Sequence, residues 1–384
     1  MDDRTQPRLR PRTLAAQALG AGEPTTNALV PPIHMSATFL RDPDNGYSAG
    51  HVYGRCDNAS VQQAEAVIAA LEVAQGAMTF ASGMAAATAV FLALEKPTHI
   101  VASQVMYWGF REWLLDVGRY GHSVTFVDTS DARAVRDAIR PNQTGLLWIE
   151  TPSNPLWLIT DIAAMAEIAH DAGALLCVDS TVATPVLTRP IDHGADIVVH
   201  SATKYLNGHS DLVAGAIATA HTDDFWARIQ RVRAQFGTAL SSFDAWLLMR
   251  GMRTLHVRVR EQSNTAALLA GWLVDHPALA AVLYPGLKTH PRHDVAVRQM
   301  SGGFGGMLSI RLKGGESAAV AAASRVKVWK RATSLGDVES LIEHRASIEG
   351  PGTPCPADLL RLSVGLEDPD DLFFDLMRAL GSPS

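Results

Sequence analysis

The sequence predicts an α/β fold, with a mostly parallel sheet flanked by helices and a smaller C-terminal α+β domain. Two observations carry this. From about residue 60, short apolar runs of strand length alternate with stretches of helical period. Such alternation builds βαβ units, because parallel neighbours need a long crossover. After about residue 240 the alternation stops and helical stretches dominate. The 384 residues suggest two or three domains. Hydrophobic residues at 47% and charged residues at 19% give a globular balance.

Residues 1–48 read as an N-terminal arm. They carry Pro7, Pro11, Pro24, Pro31, Pro32 and Pro43 with little periodicity. Such a segment is either disordered or laid across a partner subunit. A large α/β domain then spans 49–240. Its first helix is "SVQQAEAVIAALEVAQG", with Ser60 as N-cap and Gly76 as stop. "THIVAS", "HSVTFVD", "GLLWIET", "ALLCVDS" and "DIVVHS" read as strands, and "DARAVRDAIR" and "DIAAMAEIAHDAG" as helices between them. The C-terminal domain, 241–384, opens on a long helical stretch from Ser242. It continues through "AAVLYP", "GGMLSIRL", a helix from about Glu316 and a last helix near "DDLFFDLMRAL". "SGGFGG" (301–306) lacks the strand–loop–helix setting of a phosphate loop and reads as the lead-in to a strand.

The formal charge, 33 basic against 39 acidic residues, is −6. This argues against nucleic acid or an anionic membrane as the main partner. The first twenty residues lack a signal-peptide core, and no apolar run reaches the length of a membrane span. Cys56, Cys177 and Cys355 are few and far apart, which fits a reducing cytoplasm.

Ligands of open α/β sheets bind beyond the carboxyl ends of the strands. Following the apolar runs, that rim carries Ser82-Gly83-Met84, Tyr107, Asn154, Asp179 and Ser201-Ala202-Thr203-Lys204. Each has an ordinary reading. Ser82 is a helix cap, Tyr107 a core aromatic, Asp179 a turn cap and Lys204 a solvated strand-end lysine. Each also has a chemical one. The turn at Gly83 opens a helix whose N–H groups suit a phosphate, with Ser201 and Thr203 adding hydroxyls. Tyr107 can stack on a ring, Asp179 can keep a ring nitrogen protonated, and Lys204 can form a Schiff base. Together they describe pyridoxal 5'-phosphate.

The motifs "VYGR" (52–55), "ASGMAA" (81–86), "ETPSNP" (150–155), "VDSTVATP" (178–185), "HSATKYLNGHSDLVAG" (200–215), "SLGDVESLIEHRAS" (334–347) and "RLSVGLED" (361–368) stand in order along the chain. They resemble the Cys/Met-metabolism group of pyridoxal-phosphate enzymes. This group holds cystathionine γ-synthase, the cystathionine γ- and β-lyases, methionine γ-lyase and the O-acylhomoserine sulfhydrylases. The resemblance implies the fold type I transferase architecture and a homotetramer, a dimer of dimers with shared active sites. By it Lys204 is the Schiff-base lysine and Asp179 pairs with the pyridine nitrogen. Tyr107 stacks on the ring, and Gly83, Met84, Ser201 and Thr203 hold the phosphate. Tyr53 and Arg55 reach a neighbouring subunit's cofactor. Arg361 clamps the substrate α-carboxylate, assisted by Ser334 and Asn154.

The implied activity is that of a carbon–sulfur lyase or γ-replacement enzyme of trans-sulfuration, most like cystathionine γ-lyase or γ-synthase. A cystathionine β-lyase and an O-acylhomoserine sulfhydrylase are the alternatives within the class. A non-catalytic binding protein on the same fold is the alternative outside it. Several positions depart from the group's pattern. Trp108-Gly109-Phe110 come after the tyrosine, Glu112 stands where an arginine is common, and Arg111 lies one place early. Thr333 replaces a frequent glutamate, and Arg345 replaces the proline of His-Pro-Ala-Ser. Trp108 and Phe110 predict a tighter or more apolar distal pocket than is usual in the group. Arg345 is expected either to face solvent or to meet an anionic substrate tail. His290 and His293 read as an exposed turn and not a metal pair.

Overall fold

The computed structural model describes residues 9–381. Residues 1–8, with Pro7, lie outside the described residues. The rest of the arm is not all extended. Pro11 opens a helix, α1 (Pro11–Gln17), and buries Ala15. A proline at the first helical position has a suitable φ and no N–H to waste, so it starts this helix. The chain then runs irregularly to Asn58 and leaves Leu29, Met35 and Leu40 exposed.

Helix α2 (Ala59–Glu72) is capped two residues before the expected position. Asn58 is the cap, its side chain accepting the Ser60 N–H at 2.9 Å. Ser60 is instead buried inside the helix and its Oγ accepts the N–H of His34. Val73, in a left-handed conformation, ends the helix, and Gly76 begins the first strand.

The large sheet comprises β1 (Gly76–Phe80), β2 (His99–Ser103), β3 (Ser123–Val127), β4 (Thr144–Glu150), β5 (Leu175–Asp179), β6 (Ile197–His200) and β7 (Gly215–Thr219). Their order is β1-β7-β6-β5-β4-β2-β3. Only β7 runs against its neighbours. The crossovers carry α3 (Gly83–Leu92), α4 (Trp108–Leu115), α5 (Ala132–Ala138), α6 (Ile162–Asp171) and α7 (Thr184–Leu187), and α8 (Asp224–Phe236) comes after β7. Strand β7, "GAIAT", lacks a strand signal because its small residues have weak strand propensity. A close approach explains the glycine: a Cβ on Gly215 would lie 2.1 Å from the Ser82 carbonyl oxygen.

The long helical stretch after 240 is two helices, α9 (Ser242–Met252) and α10 (Leu255–Leu273). They break where Gly251 meets the backbone of Asn207, a Cβ there falling 2.4 Å from its oxygen. The Arg258 guanidinium closes the junction by donating to the carbonyls of Gly251 and Tyr205, both at 2.8 Å. Tyr205 is next in the chain after Lys204, so the helix break anchors the lysine's loop.

The smaller sheet holds β8 (Leu279–Leu283), β9 (Met307–Leu312), β10 (Lys330–Arg331), β11 (Leu341–His344) and β12 (Leu359–Ser363) in the order β10-β11-β12-β9-β8. Between and after them lie α11 (His293–Gln299), α12 (Gly315–Arg325), α13 (Arg345–Glu349) and α14 (Pro369–Leu380). "SGGFGG" leads into β9 as expected. None of the described helices is long and apolar enough to cross a membrane.

Asp375 on α14 is 5% exposed and accepts the N–H groups of Lys327, Val328 and Trp329 at 2.8, 2.7 and 3.2 Å. These lie on the turn between α12 and β10. Asp375→Ala is expected to lower unfolding free energy by about 2–4 kcal/mol, because three buried donors lose their acceptor. Denaturant melts of the two proteins measure this.

Candidate active site

The carboxyl ends of the parallel strands open into a cavity of about 300 Å³. Its wall includes Gly83, Met84, Tyr107, Asn154, Asp179, Ser201, Thr203, Lys204, Ser334 and Arg361, so ten of the twelve expected site residues meet there. Tyr53 and Arg55 do not. Tyr53 is 46% exposed, and the exposed Arg55 lies over its ring and donates to the carbonyl of Ala234.

Ser82 caps α3 by accepting the Ala85 N–H at 3.0 Å, as the ordinary reading held. That leaves the first-turn N–H groups of Gly83 and Met84 without intrahelical acceptors at the positive end of the helix dipole. Gly83 is required here: a Cβ would sit 2.9 Å from the Ser201 Cβ. The Thr203 hydroxyl donates to the carbonyl of Ala214 and accepts its N–H. It therefore also fastens the loop that carries Lys204.

Lys204 is partly buried, and its Nζ donates to the Ser334 Oγ at 2.9 Å. Burial lowers its pKa below that of an ordinary lysine. Arg361 and Arg345 push the same way, while Asp337 and Glu343 oppose. Ser334 has φ 138°, a backbone conformation that a side chain rarely adopts and that costs energy. The strain brings its hydroxyl to the amine.

Asp179 ends β5, and its Oδ1 accepts the Thr181 N–H at 3.0 Å. Glu150 ends the neighbouring β4 and is 6% exposed. Its Oε2 accepts the Tyr107 N–H and its Oε1 the Asn154 N–H, both at 2.7 Å. One carboxylate thus holds the two loops bearing Tyr107 and Asn154. Burial raises the pKa of both acids; the Asp179 charge raises Glu150 further, while Thr181 and His200 pull Asp179 back. Among the described residues neither acid has an ion-pair partner, so the pair favours a cation beside it.

Arg361, on β12, is 4% exposed. It donates to Asn154 Oδ1 at 3.1 Å, to the Ser334 carbonyl at 2.8 Å and to Glu343 Oε2 at 2.6 Å. Burial, with repulsion from Arg345, brings its pKa down to about 10.

Arg345 does not face solvent. It is 3% exposed and lines the cavity, but its guanidinium is taken by Glu343 at 2.9 Å and Glu349 at 2.8 Å. A buried guanidinium needs such partners. Glu343 also accepts the hydroxyl of Thr333. Trp108 begins α4 directly, with Tyr107 as its N-cap, so no loop separates the tyrosine from the helix. Helical phase then decides the rest. Phe110 is buried on the cavity wall, whereas Trp108 is not among the residues lining it. Arg111 lies over the rings of Trp108 and Phe126, and Glu112 faces solvent. Gly109 lets the Tyr107 ring fold back, since a Cβ would come within 3.0 Å of it. His290 and His293 are half-buried and bond the carbonyls of Trp157 and Pro285. No group of metal-ligating side chains occurs among the described residues.

Sequence reasoning passes over Glu150, Glu343, Glu349 and Asp337. Glu150 has a signal: like Asp179, it ends a buried apolar run. The other three sit in loops and short elements whose neighbours only the fold supplies.

These groups fit pyridoxal phosphate. A helix terminus with hydroxyls suits a dianion, the half-buried Asp179 beside buried Glu150 suits a protonated ring nitrogen, and a depressed lysine suits an aldehyde. Residues 12–381 match the family model described as Cys/Met metabolism PLP-dependent enzyme. The cystathionine gamma-synthase of Mycobacterium tuberculosis is 44% identical over 381 residues, covering 96% of each chain. The cystathionine gamma-lyase of Bacillus subtilis is 40% identical over 381 residues, 97% of this chain and 99% of its own. The structure of a cystathionine gamma synthase from Xanthomonas oryzae pv. oryzae in complex with cystathionine superposes with a TM-score of 0.93. It is 36% identical and covers 97% of this chain and 98% of its own. With motif order, architecture and cavity chemistry in agreement from one end to the other, the chain belongs to the pyridoxal-phosphate-dependent enzymes of cysteine and methionine metabolism.

Proposed function

We propose that this enzyme makes or breaks the Cγ–S bond of cystathionine, as a γ-synthase or γ-lyase of trans-sulfuration. One observation carries the reading: Lys204 Nζ, Asp179 and the α3 terminus share a cavity closed by Arg361. Bound there, pyridoxal phosphate supplies an electron-poor ring that stabilises negative charge at the substrate α-carbon.

The residues divide the remaining work. Arg361, with Asn154 and Ser334, holds the substrate carboxylate, its planar fork matching two oxygens. Gly83, Met84, Ser201 and Thr203 hold the phosphate. Asp179 keeps the ring nitrogen protonated, Glu150 sets the loop of Tyr107, and Tyr107 covers the ring face. Lys204 takes the α-proton and, for loss at Cγ, a second proton from Cβ. Ser334 keeps the Nζ directed.

Tyr53 and Arg55 are read as completing the site of a neighbouring subunit in a homotetramer. Their exposure, and their absence from this chain's own cavity wall, support that role. The arm 1–48, the cofactor domain 49–240 and the C-terminal domain 241–384 are the proposed units. Free Cys56, Cys177 and Cys355 support a reducing, cytoplasmic setting.

The test is a substrate panel with products weighed by mass spectrometry: cystathionine, homocysteine, methionine, cysteine and O-acylhomoserines, with and without a thiol. Cystathionine formed from an O-acylhomoserine and cysteine, or cleaved to cysteine and a 2-oxo acid, is expected. Homocysteine and pyruvate from cystathionine would instead identify a β-lyase. Homocysteine from an O-acylhomoserine and sulfide alone would identify a sulfhydrylase.

A further inference from the structure

Beside the cavity runs a buried row of four charges in alternating sign: Glu349, Arg345, Glu343 and Arg361. Arg345 Nε and Nη2 reach Glu349 Oε1 at 3.1 and 2.8 Å. Arg345 Nη1 reaches Glu343 Oε2 at 2.9 Å, and the same oxygen takes Arg361 Nη2 at 2.6 Å. The outer oxygens are occupied too, Glu343 Oε1 by the Thr333 hydroxyl and Glu349 Oε2 by the Thr353 hydroxyl. All four side chains are at most 8% exposed, and their formal charges cancel.

A row that is neutral without substrate must take on a negative charge when a carboxylate arrives at Arg361. Glu343 already holds that guanidinium, so it competes with the ligand. What limits the competition is Arg345, which draws on the same Glu343 oxygen from the other side. Glu349 in turn offsets Arg345. We propose that Arg345 and Glu349 are positioning residues that set, in opposite directions, the affinity of Arg361 for the substrate carboxylate. Arg345 raises it by neutralising Glu343, and Glu349 lowers it by neutralising Arg345. Both roles rest on the reading of Arg361 as the carboxylate clamp.

Removing Arg345 leaves two carboxylates against one guanidinium before any ligand binds. Glu349→Gln keeps an acceptor for Arg345 and nearly the same shape, but removes a negative charge. One charge acting across about 8 Å at an effective dielectric near 20 changes affinity by at most roughly thirtyfold, and screening by solvent in the cavity brings this down towards tenfold. The sign distinguishes this from simple packing. Both substitutions disrupt the same ion pair, so a purely structural role moves binding the same way in both.

The experiment uses the cofactor-loaded enzyme and two small amines, glycine and methylamine, titrated against the cofactor's absorbance. Glycine carries the carboxylate and methylamine does not. Arg345→Met is expected to raise the glycine Kd about tenfold and Glu349→Gln to lower it several-fold. Neither should move the methylamine Kd by more than about twofold, and Arg345→Lys should restore most of the glycine affinity. With the physiological substrate, measured at a pH above the Lys204 limb, the change should fall on KM and leave kcat. Glycine shifts in the same direction for both variants, or equal shifts for methylamine, overturn the proposal. If Arg345→Met does not fold, the sign for Glu349→Gln decides alone, and an unchanged or raised glycine Kd overturns it. Arg361→Met separates the two levels. Should it weaken methylamine as much as glycine, the clamp reading itself fails. Should it weaken glycine selectively while the Arg345 and Glu349 variants do nothing, only the roles of Arg345 and Glu349 fall.

Discussion

Replacing Lys204 with alanine is expected to lower kcat about a thousandfold or more, with the fold intact. In the proposed mechanism the amine is the base at the α-carbon, and Ser334, to which it donates, cannot replace it because a hydroxyl is far less basic. The visible absorbance of the lysine-bound cofactor should vanish in the same protein, and a small primary amine added to the assay should return part of the rate. The direction of the pKa shift sets the pH profile. Lys204 must be unprotonated to accept a proton, so the rate rises with pH through its pKa. Burial has lowered that pKa, which moves the limb towards neutrality. Asp337 opposes the shift. Asp337→Asn should therefore move the limb to lower pH. A limb that stays in place, or moves up, would falsify the assignment of this titration to Lys204.

Asp179→Asn is expected to cost turnover about a hundredfold to ten thousandfold, because an amide cannot hold a proton on the ring nitrogen. The more telling result concerns stability. Without cofactor, the Asp179 carboxylate is held against burial and close to Glu150. Removing its charge should leave the apo protein as stable or more so. With cofactor, the same change deletes the ring's counter-charge and should lower the melting temperature gained on loading. Thermal melts of both forms test this. Equal destabilisation of apo and loaded protein would mean that Asp179 serves only to cap the Thr181 turn.

The architecture was legible because hydrophobic period and strand-end chemistry are local. The runs that became β2 to β6 needed nothing but their own residues, and Asp179 and Lys204 stand where those runs stop. The features that sequence alone hid were decided by packing. Strand β7 holds Gly215, Ala216 and Ala218, which weaken its strand signal, and Gly215 is there to let Ser82 pass. The break between α9 and α10 is set by Asn207 and Arg258, one of them far away in the chain. Arg345 had two sensible readings, solvent or substrate, and the first failed because its partners Glu343 and Glu349 face it only once β11 and α13 are folded. Trp108 and Phe110 share a motif but not a fate, because the helix beginning at Trp108 turns one towards the cavity and leaves the other off its wall. Glu150 was within reach, since a carboxylate closing a buried strand always needs an explanation.

Lys204 and Asn154 come from the large sheet's rim, while Ser334 and Arg361 come from the smaller sheet's side. The contacts Lys204–Ser334 and Arg361–Asn154 therefore span the two halves. The site works as a gauge of their separation. A displacement of about an ångström between the halves would exceed what either hydrogen bond tolerates. It would loosen the proton-accepting amine and the carboxylate clamp in one movement. On the proposed reading a substrate held by Arg361 and worked on by Lys204 would rivet the halves together, tying occupancy to catalytic alignment.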